Sequence, residues 1–156
     1  MSAREYFCYT DGSCKAGDGA PGGWGYFIKT PEGTPLEGYG KATQTLAKIM
    51  EYRAVAEALA VLPEGATVTV FSDNQSLVEN LDKQLGNWRT NGFAKVDPTI
   101  VESVRSIDAG ITAKRLRVKW QWLRSHNGNV GNERADALAA QGAREAKSDL
   151  ERTRRR

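Results

Sequence analysis

Histidine and cysteine are nearly missing from this chain. Among 156 residues there is one imidazole, His126, and two thiols, Cys8 and Cys14. Two cysteines at this spacing match no thioredoxin-type or zinc-ligand pattern, which leaves a reducing cytoplasm as the expected location. Long apolar runs are missing too. No stretch approaches the roughly 20 residues that cross a bilayer, so no membrane partner is expected. The opening "MSAREYF" is too short and too polar for a signal peptide. Internal repeats and low-complexity linkers are also absent, and the length suits one domain with a real core.

Net positive charge is confined to one place. The formal net charge is +3, but "RTRRR" at the C-terminus holds four arginines, and without them the balance is −1. The body is close to neutral, which argues against a strongly basic nucleic-acid clamp. We expect a single domain over residues 1–146 and a basic C-terminal tail over 147–156. That tail reads either as a frayed, solvated terminus or as a non-specific phosphate contact.

What is present has the pattern of an α/β domain. Residues 4–11 read as a strand, and 12–25, "GSCKAGDGAPGGWG", as a glycine-rich loop. Stretches 23–30 and 34–43 read as a hairpin through "PEG". Residues 46–62 are rich in Ala, Leu, Met and Glu and stop before Pro63, as a helix does. A β-branched strand follows at 66–72, a short helix at 74–85, a polar excursion at 86–98 and a helix at 99–109. Residues 115–123 alternate as a half-buried strand, and 132–146 form a last helix with a small-residue face. Strands and helices in this order give a mixed sheet flanked by helices.

Four acids fall in unusual places. Asp11 and Asp73 follow strand sequences directly, where open α/β sheets bind ligands. Glu51 shares a helix stripe with Val55, Leu59 and Leu62, so a carboxylate sits on a core-facing row. Asp136 shares one with Ala139, Ala140 and Ala143. Any one acid alone reads as a turn, a cap or a solvated charge. Converging together they would repel, and a divalent cation removes that conflict. Oxygen donors without cysteine or paired histidine suit Mg²⁺ or Mn²⁺. His126, beside such a cluster, is placed to move protons near neutral pH.

The stretches "YTDGSC", "MEYRAVAEAL", "FSDNQSLV" and "SHNGNVGNERADALA" together resemble type 1 ribonuclease H over roughly residues 4–146. The last is the most specific, a histidine and a glycine followed by Asn-Glu-x-x-Asp-x-Leu-Ala. The resemblance implies a ribonuclease H-like fold, a five-stranded mixed sheet in the order 3-2-1-4-5. It implies an endoribonuclease that cuts the RNA strand of RNA/DNA hybrids and leaves 3′-hydroxyl and 5′-phosphate ends. Two ions, Mg²⁺ or Mn²⁺, would act with substrate bound. On this likeness Asp11, Glu51, Asp73 and Asp136 are the metal-binding carboxylates, and His126 assists proton transfer or product release. Glu51 resembles the residue that contacts the RNA 2′-hydroxyl.

Substrate contacts are expected from the backbone of Gly12, Ser13 and Cys14, from Gln75 in the minor groove, and from Trp88, Arg89 and Thr90 along the DNA strand. Asn132 reads as a helix cap or a substrate contact. Where the family often carries paired asparagines, this chain has Ala47 and Lys48. Its excursion at 83–97 is weakly basic, so weak hybrid binding is expected unless the arginine tail compensates. The competing readings are a catalytically weak nucleic-acid-binding module on the same fold and a different nuclease on that fold. No apolar stripe demands a partner, so a monomer with no obligate protein partner is expected.

Overall fold

The first strand does not stop at Asp11. In the computed structural model, which describes residues 5–15, 17, 19–124 and 128–155, β1 spans Glu5–Ser13. Its last residues continue the antiparallel ladder with β2 (Ala20–Lys29), Gly12 opposite Trp24 and Ser13 opposite Gly23. The chain turns only afterwards, at Gly17 and Gly19, whose φ of 101° and 81° are open to glycine. The expectation that Asp11 ends its strand and that Gly12 turns the backbone is therefore corrected. Two glycine-rich stretches that read as loop pair with each other as strand.

The remaining elements follow the expected order. They are β3 (Leu36–Thr45), α1 (Ala47–Ala60), β4 (Thr67–Ser72), α2 (Gln75–Lys83), α3 (Leu85–Thr90), α4 (Val101–Lys114), β5 (Arg117–Trp122) and α5 (Val130–Arg154). The sheet runs β3-β2-β1-β4-β5. β1 pairs antiparallel with β2 and parallel with β4, and β4 pairs parallel with β5. The mixed sheet expected from the sequence is present.

Three boundaries differ for physical reasons. The polar excursion contains a short helix, α3, because Leu85 and Trp88 pack against the core. α4 passes through Gly110, whose cost of about 1 kcal/mol in a helix is small against the packing of Ile111 on the core. It ends on Arg115 in the left-handed region, with the Leu116 N–H donating to the Ile111 carbonyl at 3.0 Å. α5 continues through most of the expected tail. Lys41 on β3 pairs with Asp149 at 2.8 Å, and Tyr39 donates to Glu145 at 2.6 Å, which fastens these turns to the sheet edge.

Side-chain alternation splits the sheet into two faces. Tyr6, Cys8, Trp24, Tyr26 and Ile28 join Met50, Tyr52, Val55 and Leu59 of α1 in the main core. On the other face α5 lies against β2. A Cβ on Gly25 would fall 2.7 Å from the Ala139 nitrogen, and one on Gly23 would fall 2.4 Å from the Ala139 carbonyl oxygen. The helix thus rests directly on the strand backbone, as its small-residue face predicts. Its buried row is Gly131, Ala135, Leu138, Ala139, Gly142 and Ala146, with Asp136 on the flank.

Candidate functional site

Strand register brings the first two acids together. The last paired residues of the parallel strands β1 and β4 are Tyr9 and Phe71. Two residues further along each chain stand Asp11 and Asp73. Asp11 belongs to a strand still paired on its other side, to Gly25 of β2. Asp73 lies one residue beyond the end of β4. It does not cap the next helix. Asn74 does, accepting from the Leu77 N–H at 3.0 Å.

Glu51 arrives from α1. A Cβ on Gly12 would fall 2.4 Å from the Glu51 nitrogen, so helix and strand backbones are in direct contact there. The Gly12 N–H donates to Asp11 Oδ1 at 2.9 Å and to Glu51 Oε1 at 3.0 Å. This amide, expected to face an RNA backbone, is engaged with two carboxylates and orients both.

One carboxylate oxygen from each of Asp11, Glu51 and Asp73 lies within 4.8 Å of the others. Asp136, carried on α5 where Gly25 admits the helix, stands beside Asp11 and adds to the upward push on its carboxyl, outside the group of three. Asp11 is only 6% exposed. Its burial, and next the Glu51 charge, push its carboxyl up to about 10. Burial also raises Glu51, to about 7, against the opposing effect of its hydrogen bond with Asp11. Fully ionised, the cluster would hold more negative charge than the protein neutralises, so without a cation it retains protons. An all-oxygen donor set with that excess fits a hard divalent cation and suits neither zinc nor copper. Beside it lies a groove of about 490 Å³ lined by Ala47, Lys48, Glu51, Tyr52, Asp73, Asn74, Ser76 and Leu77.

The other expected site residues fall in several places. Ser13 and Cys14 follow Asp11 directly. Cys14 Sγ lies 3.1 Å from the Gly17 carbonyl oxygen, inside its own loop. Gln75 opens α2 and is exposed, donating to Glu79 at 3.3 Å. Trp88 packs partly on the core, and Thr90 donates to the Gly86 carbonyl at 3.0 Å. Arg89 donates to Asp108 Oδ1 at 2.8 Å, joining α3 to α4. Asn132 is not the cap of α5. Asn129 is, accepting from the Asn132 N–H at 2.8 Å, and Asn132 itself is 3% exposed. His126 lies outside the described residues.

Sequence reasoning missed the partner of Lys48, which pairs with Asp97 at 2.8 Å. It also missed Gly23 and Gly25 as the seat of α5. The signal was present in "PGGWG", where glycines alternate with a residue pointing the other way.

The RNase H family model matches residues 3–144. A ribonuclease H of Polaromonas naphthalenivorans (strain CJ2) is 39% identical over 141 residues, covering 88% of this chain and 86% of the relative. The fold is similar to that of a solved type 1 RNase H with the type 2 active-site motif, with a TM-score of 0.79 at 22% identity over 94% of this chain and 75% of that one. It is also similar to LC11-RNase H1 solved in complex with an RNA/DNA hybrid, with a TM-score of 0.69 at 23% identity over 90% and 98% of the two chains.

Proposed function

The chain belongs to the ribonuclease H family, and from that premise we propose that it is an endoribonuclease that hydrolyses the RNA strand of RNA/DNA hybrids. One observation carries this reading at the level of chemistry. Three carboxylates from separate elements meet within 4.8 Å at the end of a central strand.

A phosphodiester in water resists attack because its own charge repels the nucleophile and the leaving oxygen departs as an anion. Divalent ions, when bound, polarise phosphoryl oxygens, lower the pKa of a bound water and stabilise the departing oxygen. Asp11, Glu51 and Asp73 would hold them, and Asp136 would complete the set through its contact with Asp11. Mg²⁺ is the proposed metal, with Mn²⁺ as a substitute and two ions when substrate is bound.

The protein's own part is positioning. Paired strands hold Asp11 and Asp73 in register, and the Gly12 amide fixes the carboxylates of Asp11 and Glu51. Such preorganisation requires no rearrangement when charge develops. Glu51, at the edge of the groove, is the proposed partner of the RNA 2′-hydroxyl, the group that separates RNA from DNA. His126 is the proposed proton carrier at the leaving oxygen. Backbone groups of Gly12, Ser13 and Cys14 would border the RNA strand. Gln75, Trp88 and Thr90 would border the DNA strand, with Arg89 holding α3 in place. Asn132 would support the start of α5 from within.

The proposed catalytic unit is 1–146, with 147–156 as a basic extension carried by α5, acting as a monomer in the cytoplasm. Among the described residues no helix is long and apolar enough to cross a membrane. A pure binding module is disfavoured, since clustered carboxylates repel a phosphate backbone unless metal neutralises them. Product-end mapping tests the reaction: 5′-phosphate and 3′-hydroxyl termini are expected from the wild type and none from Asp73→Asn. Cyclic or 3′-phosphate ends would mean that the 2′-hydroxyl is the nucleophile and would overturn the mechanism.

A further inference from the structure

Ser13 is two residues past Asp11 on β1 and so points to the same face of the sheet, the one covered by α5. Its side chain is buried at 6% exposure, and Oγ has no hydrogen-bond partner among the described residues. A buried hydroxyl without a partner is uncommon and implies something that completes it. Ser13 lines a pocket of about 300 Å³ together with Lys15, Pro21, Ala143, Arg144 and Lys147. Lys15, Arg144 and Lys147 are exposed, and among the described residues none of them is in an ion pair. Elsewhere on α5 the basic side chains Arg134 and Arg152 are paired with acids. Unpaired cations around one buried hydroxyl form a site for an anion.

The spacing relates this pocket to the carboxylates. Two strand residues separate Ser13 from Asp11, about 7 Å. Eight helix residues separate Arg144 from Asp136, about 12 Å. Successive nucleotides of one strand rise about 3.4 Å along a duplex axis and are offset further around it. These separations are within the reach of a phosphate one or two nucleotides from one held at the carboxylates.

We propose that Ser13, Lys15, Arg144 and Lys147 form a phosphate subsite for the backbone of the strand being cut, adjacent to the carboxylates. The Ser13 hydroxyl, covered and unpartnered among the described residues of the free protein, turns toward a phosphate oxygen and donates to it, and the three cations neutralise the phosphate. Pro21 and Ala143 form an apolar floor that admits the sugar. This subsite deepens the nuclease reading and rests on it. It also supplies a grip that the weakly basic excursion at 83–97 lacks.

The test is equilibrium binding of a fluorescent RNA/DNA hybrid in EDTA across a salt series, so that turnover plays no part. Removing one phosphate contact reduces the slope of log K against log salt by about one. Arg144→Gln and Lys147→Gln are each expected to do so, and the double variant to reduce it by about two. Ser13→Ala is expected to weaken binding several-fold at every salt concentration with the slope unchanged. Lys29→Gln, at the opposite end of β2, controls for net charge and is expected to leave the slope intact. Equal slopes for wild type and the double variant would overturn the subsite, as would equal losses from Lys29→Gln. Inorganic phosphate at matched ionic strength is expected not to displace the hybrid, and displacement in wild type but not in the double variant would assign the pocket to a free anion instead. A wild type that binds with these slopes and yet never cuts would overturn the nuclease reading while the subsite stands.

Discussion

Gly12 and Glu51 are in backbone contact: a Cβ on the glycine would fall 2.4 Å from the glutamate nitrogen. No side chain fits there without moving α1 away from β1, and α1 carries one of the three clustered carboxylates. The glycine serves the protein's own packing rather than a turn.

Gly12→Ala is therefore expected to destabilise the fold by about 1–3 kcal/mol through overpacking. Activity should fall by more than that loss explains, because the displaced helix misplaces Glu51. Urea unfolding and cleavage rates under conditions where the variant remains folded check both. A fully active, stable alanine variant would contradict the contact.

Asp11→Asn separates structure from charge. The folded-state pKa of Asp11, about 10, lies above the ordinary carboxylate value of about 3.9. The folded chain holds a proton that the unfolded chain releases. That contribution to stability is complete below pH 4 and is lost as pH rises toward the folded value. In EDTA the asparagine variant should match wild type near pH 4 and exceed it in stability by a margin that grows as pH rises to 8. Mg²⁺ should raise the Tm of wild type and leave that of the variant nearly unchanged. Thermal unfolding at several pH values, with and without Mg²⁺, reads both effects.

Much of this arrangement is legible in the residue order. Asp11 and Asp73 follow β-branched or aromatic runs, and Glu51 interrupts an apolar helix row, so each is conspicuous locally. What could not be read was long-range. "GSC" and "PGGWG" look like loop because glycine lacks strand propensity, yet they pair because glycine alone lets α5 and α1 reach the backbone. The turns of α5 beyond 146 look like tail because they are charged, yet Lys41, on a strand about a hundred positions earlier, holds them through Asp149. Local rules offered Asn132 as a cap of the last helix, and geometry gives that place to Asn129, three residues earlier.

Arg89 offers a second separation of roles. Its guanidinium pairs with Asp108, which is 8% exposed. Arg89→Ala would leave that carboxylate without its charge partner and is expected to cost about 2 kcal/mol. Arg89→Ala combined with Asp108→Asn should recover part of the loss. Chemical unfolding of the single and double variants measures the coupling. A drop in hybrid affinity with no loss of stability would instead make Arg89 a direct substrate contact.

Truncation after residue 146 removes Asp149 and the arginine-rich end while leaving all four acids. The ion pairs lost are solvent-exposed, so only a small loss of stability is expected. Metal-dependent cleavage should persist, with a reduced salt dependence of binding because Lys147 and the terminal arginines are gone. Complete inactivity of a folded truncated chain would place part of the catalytic unit beyond 146.

The most direct measurement is cleavage of an end-labelled RNA/DNA hybrid beside duplex DNA and duplex RNA, with Mg²⁺, with Mn²⁺ and with EDTA, for wild type and Asp11→Asn. The wild type is expected to cut the RNA strand of the hybrid alone and only with metal, and the variant is expected to cut nothing. Cutting that survives EDTA or the Asp11→Asn change, or a hybrid left intact with both metals, would contradict it.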